Sequence, residues 1–373
     1  MRLSPLSKFQ HKVKVAQPLP FSIRDSGGRL LLARGHLLAD EEQFGALLER
    51  GAFVDLEELS GPRSEALSAP PELLPTLWRV FAERTNVALH AAPGPNWVTT
   101  LEELARLGLT LVDRSPDLAI FLIVRGEAPP QVHYGVMHSI HTLGTVALVG
   151  RRLGWDEPRV LTAMRAALTM NLSIIDLQGR LATQTDVPTA LQRGNLRGHP
   201  QRSVAMLQAV GVSDEAWLTA VAQHHESPDG RGYPQGLKQI DELAQVLRVA
   251  DIFTAKLSPR ATRPALPACD AAKRLFAGES GSPLCAALIK EFGIYPPGCL
   301  VALQSGEIGV VSRRGASANA PMVDALIGRN GEPLLGSVRR DSGLGAHAIV
   351  KIVAAAKVPV RVAPEKIFAE RAG

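Results

Sequence analysis

Cysteine is scarce in this 373-residue sequence, and what there is does not pair. Cys269, Cys285 and Cys299 are odd in number, widely spaced and outside any CxxC pattern, which argues against a disulfide framework and a thiolate zinc site. A reducing, cytoplasmic setting is expected. Aromatic residues make up only 5% of the chain against 46% apolar, so the core is aliphatic, and the length suits two or three domains at ~100–200 residues each. No charge run stands out. The 41 Lys and Arg against 36 Asp and Glu give +5, scattered along the chain, with no basic stripe to follow a nucleic acid. Long apolar runs are missing too. LAIFLIV at 118–124 falls far short of the ~20 residues of a membrane span, and the N-terminal MRLSPLSKFQHKVKV has charge but no apolar signal core. Neither export nor a membrane span is expected.

What is present falls into three textures. FSIRD (21–25) and RLLLA (29–33) flank Ser26-Gly27-Gly28, a strand–turn–strand pattern. Asp40 with Gln43 then forms a capping box ahead of Phe44, Leu47 and Leu48, and Gly51 stands where that helix stops. SGPRSEALSAPP (60–71) and AAPGPN (91–96) are proline-rich and predict loops around a helix-compatible ELLPTLWRVFAER. From about 97 to 257 apolar residues recur at helical spacing, as in Val136, Ile140, Leu143 and Ala147 or Met164, Leu168, Leu172 and Ile175. After Pro296-Pro297-Gly298 the runs CLVALQ, VVS, HAIVKIVAAA and VPVRV are short and β-prone. The expectation is a mainly α protein: an α/β N-terminal module with linker over 1–92, a helical domain over 93–298 and a β-rich extension over 299–373.

Several helices carry a polar residue on the apolar stripe, which costs roughly 1–3 kcal/mol when left unsatisfied. His225 continues the stripe of Leu218, Val221 and Ala222, and Asp251 follows Leu247 by four, so both are predicted to face inward. His138 and His141 share one side of another helix. Each alone is most simply a hydrogen-bonded core residue. With His199 they put several imidazoles and one carboxylate on successive helices, which is how bundles assemble metal sites, and such donors suit Fe, Mn, Ni or Zn.

QHHESPDGRGYPQGLK (223–238) followed by LRVADIFTAKLSPRATR (247–263) resembles the signature of the HD-GYP family, metal-dependent hydrolases of the bacterial messenger cyclic di-GMP. HSIHTLGTVALVGRRLGW (138–155), GHPQRSVAML (198–207) and EFGIYPPGCLVALQSGEIGVV (291–311) extend the resemblance over about residues 110 to 315. It implies an HD-superfamily helical bundle, a regulatory N-terminal module and a role in signal transduction. It also places His138, His199, His224, His225 and Asp251 on metal-ligand positions. Asp229, Gly230, Gly232, Tyr233 and Pro234 fall on the GYP loop, with Tyr233 beside a ligand. Arg260 and Arg263 fall on phosphate contacts, for which planar guanidinium forks are suited.

One segment departs from the family. Where AALLHDIGK is expected the sequence reads AALTMNLSI (166–174), so Met170, Asn171 and Ile174 replace the His, Asp and Lys. In the family reading the aspartate bridges two metals. Asn171 is neutral and a poor bridge, Met170 is a soft thioether that hard metals reject, and Ile174 cannot assist a leaving oxygen. Catalysis is therefore expected to be lost. In the family arrangement one metal takes His138 and Asp251 with both lost residues, and the other takes His199, His224 and His225 with the lost bridge. A single metal on the three histidines, or none, is the expectation. The expected function is a degenerate HD-GYP protein that senses cyclic di-GMP or docks a protein through the GYP loop, binding no nucleic acid. The alternatives are an active cyclic di-GMP phosphodiesterase and a purely structural adaptor.

Overall fold

The hairpin predicted around Gly27-Gly28 is closed by Asp25, whose Oδ1 accepts from the N–H groups of Gly27 and Arg29 at 2.9 Å each. The computed structural model describes residues 3–13, 15, 19–33, 36–55, 61–91, 93–279, 281–355, 358–360 and 363–369. Contacts divide the chain into two units, Met1–Ala69 and Pro70–Gly373.

In the first unit, strands β1 (Leu3–Pro5), β2 (Ile23–Arg24), β3 (Leu30–Leu32) and β4 (Phe53–Asp55) form an antiparallel sheet in the order β1-β4-β2-β3. The helix Glu41–Glu49 starts where expected. Asp40 accepts from the Gln43 N–H at 2.8 Å, while the Gln43 side chain reaches back to Ala39 at 2.9 Å, one residue short of the N-cap. Leu6, Phe21, Ile23, Leu47 and Val54 are buried together, each contributing about 1.5–3 kcal/mol relative to exposure. Two expectations differ here. Residues 62–68, taken for loop, form a helix because Pro62 occupies its first turn, where a missing N–H costs nothing. The break in contacts comes at Ala69, not near residue 92, because the helix Leu74–His90 packs on the helices Trp97–Arg114 and Tyr134–Arg152.

The second unit is built around the helix Tyr134–Arg152. Its residues are mostly small and apolar, and it is buried on nearly every side. It packs against the helices Trp97–Arg114, Pro116–Arg125, Glu157–Thr169, Ile175–Thr183, Glu242–Leu257 and Pro283–Phe292. LAIFLIV lies in Pro116–Arg125, capped by Ser115 and ended by Gly126 in the left-handed region. The run Glu157–Thr183 is apolar enough and long enough to cross a membrane, but 72% of that window is buried inside the protein, as a core helix is.

The chain ends in an antiparallel sheet of order β8-β7-β6-β5-β9, comprising β5 (Leu300–Leu303), β6 (Ile308–Arg313), β7 (Met322–Ile327), β8 (Pro333–Asp341) and β9 (Ile349–Ile352). CLVALQ, VVS and HAIVKIVAAA contribute β5, β6 and β9. VPVRV does not form a strand over Val358–Val360, and its last two residues lie outside the described ones.

Candidate metal centre

Four helices and one turn converge on the predicted histidines. His138 lies in the second turn of Tyr134–Arg152, His199 in the middle of Ala190–Ala209, and Asp251 in the third turn of Glu242–Leu257. The helix Glu215–Gln223 ends before His224, so His225 does not continue its stripe as expected. His224 caps the helix and His225 enters the cluster from the turn beyond it.

His199, His224 and His225 each offer a donor atom within 4.8 Å of the others. Hydrogen bonding sets two of the tautomers. His199 Nδ1–H donates to the Leu196 carbonyl at 2.6 Å, and His224 Nδ1–H donates to the Val221 carbonyl at 2.7 Å. Both Nε2 atoms are left as lone pairs, and they face each other at 3.1 Å. Two acceptors at that separation need a cation between them, and about 3 Å is the spacing of adjacent donors around a metal bonded at about 2.1 Å. The residues present therefore fit one metal. Burial, then the neighbouring His224, pushes the His199 pKa down to about 3, and burial lowers those of His224 and His225 as well. All three rings are neutral near pH 7, as ligands must be.

The His138 and Asp251 pair is arranged differently. His138 Nε2 is hydrogen-bonded to Asp251 Oδ1 at 2.6 Å, and both residues are buried. Burial alone would raise the Asp251 pKa. The His138 hydrogen bond and the fields of His138, His225 and His224 outweigh it and hold the carboxyl well below the usual range. One turn further along each helix, Thr142 and Thr254 meet at 3.1 Å, which locks the two helices in register. Asp251 is thus engaged by an imidazole, and the three-histidine group contains no carboxylate.

Met170 and Asn171 follow the end of Glu157–Thr169 and are 0% and 2% exposed, with Ile174 buried beside them in the chain. That helix stops at Thr169, and it is the turn beyond it that buries Asn171. Ser173 fastens this segment to the His199 turn by donating to the His199 carbonyl at 3.1 Å. Asp176, the other acid near this segment, is outside the cluster: its carboxylate is 72% exposed and lies 3.4 Å from His90.

The GYP loop packs on the cluster. Tyr233 stacks on His225 with ring centroids 4.5 Å apart, Pro234 follows through a cis peptide, and Asp229 accepts from the Arg231 N–H at 2.9 Å. Gly230 has φ 74°, and a Cβ on Gly232 would lie 2.3 Å from the Ser227 nitrogen, so the loop requires glycine there. Glu226 was not singled out from the sequence, yet it anchors the loop. Its carboxylate, 1% exposed, accepts from the N–H groups of Gln235 at 2.7 Å and Leu237 at 2.9 Å. Its place next to the histidine pair was the available signal. His141 is buried, with its pKa pushed down to about 3 by burial and then by His138.

The two arginines divide. Arg263 donates to the carbonyls of Ala255 and Lys256 at the end of Glu242–Leu257, so it caps a helix. Arg260 Nε donates to the Tyr134 hydroxyl at 3.4 Å, close to the first histidine helix.

Residues 125–280, which contain the cluster of histidines and an aspartate, match the HD domain family. Over 215 residues the chain is 31% identical to the cyclic di-GMP phosphodiesterase PA4108 of Pseudomonas aeruginosa, covering 56% of this chain and 51% of that protein. It thus spans about half the length of the curated relative it matches. Its fold is similar to that of Bd1817, a HDG"Y"P protein from Bdellovibrio bacteriovorus, with a TM-score of 0.50 and 18% identity over 78% of this chain and 97% of the other.

Proposed function

We propose that this is a degenerate HD-GYP-like protein that has lost two-metal hydrolysis and acts in cyclic di-GMP signalling as a binding module, in the cytoplasm. One observation supports the reading: the three-histidine cluster contains no carboxylate and Asp251 is hydrogen-bonded to His138, while the resemblance puts the neutral Asn171 where the family has its bridging aspartate. A metal held by His199, His224 and His225 would supply a Lewis acid there. This chain's own residues would orient it through the Leu196 and Val221 carbonyls and shield one side with Tyr233.

The ligand surface consists of the GYP loop, held by Glu226, together with Arg260. Arg263 supports it from the helix end, where its guanidinium donates to the carbonyls of Ala255 and Lys256. The same loop is the docking surface for a protein partner. The rival reading, a working phosphodiesterase, is favoured by the name of the 31%-identical relative. Calorimetric titration with cyclic di-GMP tests the proposal. Binding that weakens at least tenfold in Arg260→Ala, with Arg263→Ala changing stability only, supports it. No heat from the folded wild-type protein overturns ligand sensing and leaves a structural adaptor.

A further inference from the structure

A second group of metal-type donors lies outside the centre described above. His90 ends the helix Leu74–His90, His133 caps the helix Tyr134–Arg152, and Asp176 is in the first turn of Ile175–Thr183. Their donor atoms lie within 4.8 Å of one another. The approach of these elements is built in. A Cβ on Gly135 would sit 2.7 Å from the Ile175 carbonyl oxygen, and one on Gly179 would sit 2.2 Å from the His133 ring. Only glycine at both positions lets His133 lie against the helix that carries Asp176.

The tautomers give the stronger argument. His90 Nδ1–H donates to the Asn86 carbonyl at 2.8 Å, so its Nε2 is a lone pair in the neutral ring. That lone pair faces the Asp176 carboxylate at 3.4 Å, acceptor against acceptor. Two donors bonded at about 2.1 Å to a tetrahedral ion lie about 3.4 Å apart. Asn86 also accepts from the His133 N–H through its side chain at 3.0 Å, so one residue positions both histidines, as outer partners of metal ligands do. His133 Nδ1 accepts from the Gly135 N–H at 3.2 Å, so ligation through Nε2 requires that contact to be released. His90 and Asp176 also line a cavity of about 510 Å³, which leaves the remaining coordination positions open to water.

We propose that His90, His133 and Asp176 form a second, open transition-metal site for a divalent ion of the zinc, nickel or cobalt kind. Two imidazoles and one carboxylate match three-ligand sites that keep a water in the fourth position. The rival occupant of the His90–Asp176 gap is a proton, which would make a simple ion pair.

The test is equilibrium dialysis of the full chain against Co2+ alone, counting bound ions and recording the visible absorption of the complex. Asp176→Asn and His90→Gln alter groups at the surface and should leave the fold intact. Each is expected to remove one equivalent of cobalt, or to weaken it at least tenfold, while His224→Ala leaves that equivalent in place. Asp176→Asn and His90→Gln proteins that both bind cobalt as the wild type does would overturn the proposal. A wild-type protein whose whole cobalt content is lost in His224→Ala would do the same. If the three-histidine centre proves empty, one equivalent sensitive to Asp176→Asn still supports this site.

Discussion

Replacing His138 with leucine tests how the buried carboxylate is held. In the wild type, Asp251 is 8% exposed and its Oδ1 meets His138 Nε2 at 2.6 Å, a charge-assisted contact without bulk water around it. Removing the imidazole leaves a carboxylate buried without its hydrogen-bond partner. Breaking one side of such a pair costs about 3–5 kcal/mol, whereas replacing both sides with apolar groups of similar size is often near neutral. His138→Leu is therefore expected to lower the melting temperature of the Pro70–Gly373 unit by roughly 5–10 °C, and the His138→Leu, Asp251→Leu double variant to recover most of it. Calorimetric scans in chelator, with and without added Mn2+, read this out. Additive losses in the double variant would refute the coupling. A wild-type melting temperature that rises with Mn2+ only when both His138 and Asp251 are present would show that the pair is a metal site.

Three further outcomes follow from the same geometry. His141 and metal-free His199, with folded pKa values of about 3 against an ordinary 6.5, make the unfolded chain bind more protons below pH 6.5. Stability should then fall by about 2 kcal/mol for each between pH 7.5 and 5, seen as a lower urea midpoint in chelator; an unchanged midpoint would contradict their burial as neutral rings. Glu226→Ala strands the amides of Gln235 and Leu237, costing about 1–3 kcal/mol for each, and hydrogen exchange at those two amides should speed up selectively. Gly232→Ala forces the loop away from Ser227 and Glu226 at a cost of about 1–3 kcal/mol, and metal retention by the three-histidine centre should drop as Tyr233 leaves His225.

The cluster of histidines and an aspartate was legible in sequence because its motif is local: His224 and His225 are adjacent, and Asp251 follows on an amphipathic helix whose period places it inward. The periodic argument worked for Asp251 and failed for His225, since the helix stops at Gln223 and a turn delivers the ring. Long-range pairings had no local signal. The His138–Asp251 contact spans 113 residues, and the His90–Asp176 contact joins the ends of two helices that no stripe connects. The loop assigned to 60–71 shows a different limit: proline breaks a helix in its interior but not at its first turn. Strands β7 and β8 were missed because β8 is a largely exposed edge strand without clean alternation and β7 is apolar through most of its length.

If the proposed function holds, the bundle does not hydrolyse cyclic di-GMP. Incubating the purified full chain with cyclic di-GMP and Mn2+ or Fe2+ under anaerobic conditions, and following the nucleotide chromatographically, tests it most directly. The donor set around His199, His224 and His225 predicts intact cyclic di-GMP throughout. Linear dinucleotide or GMP accumulating at steady turnover would contradict it.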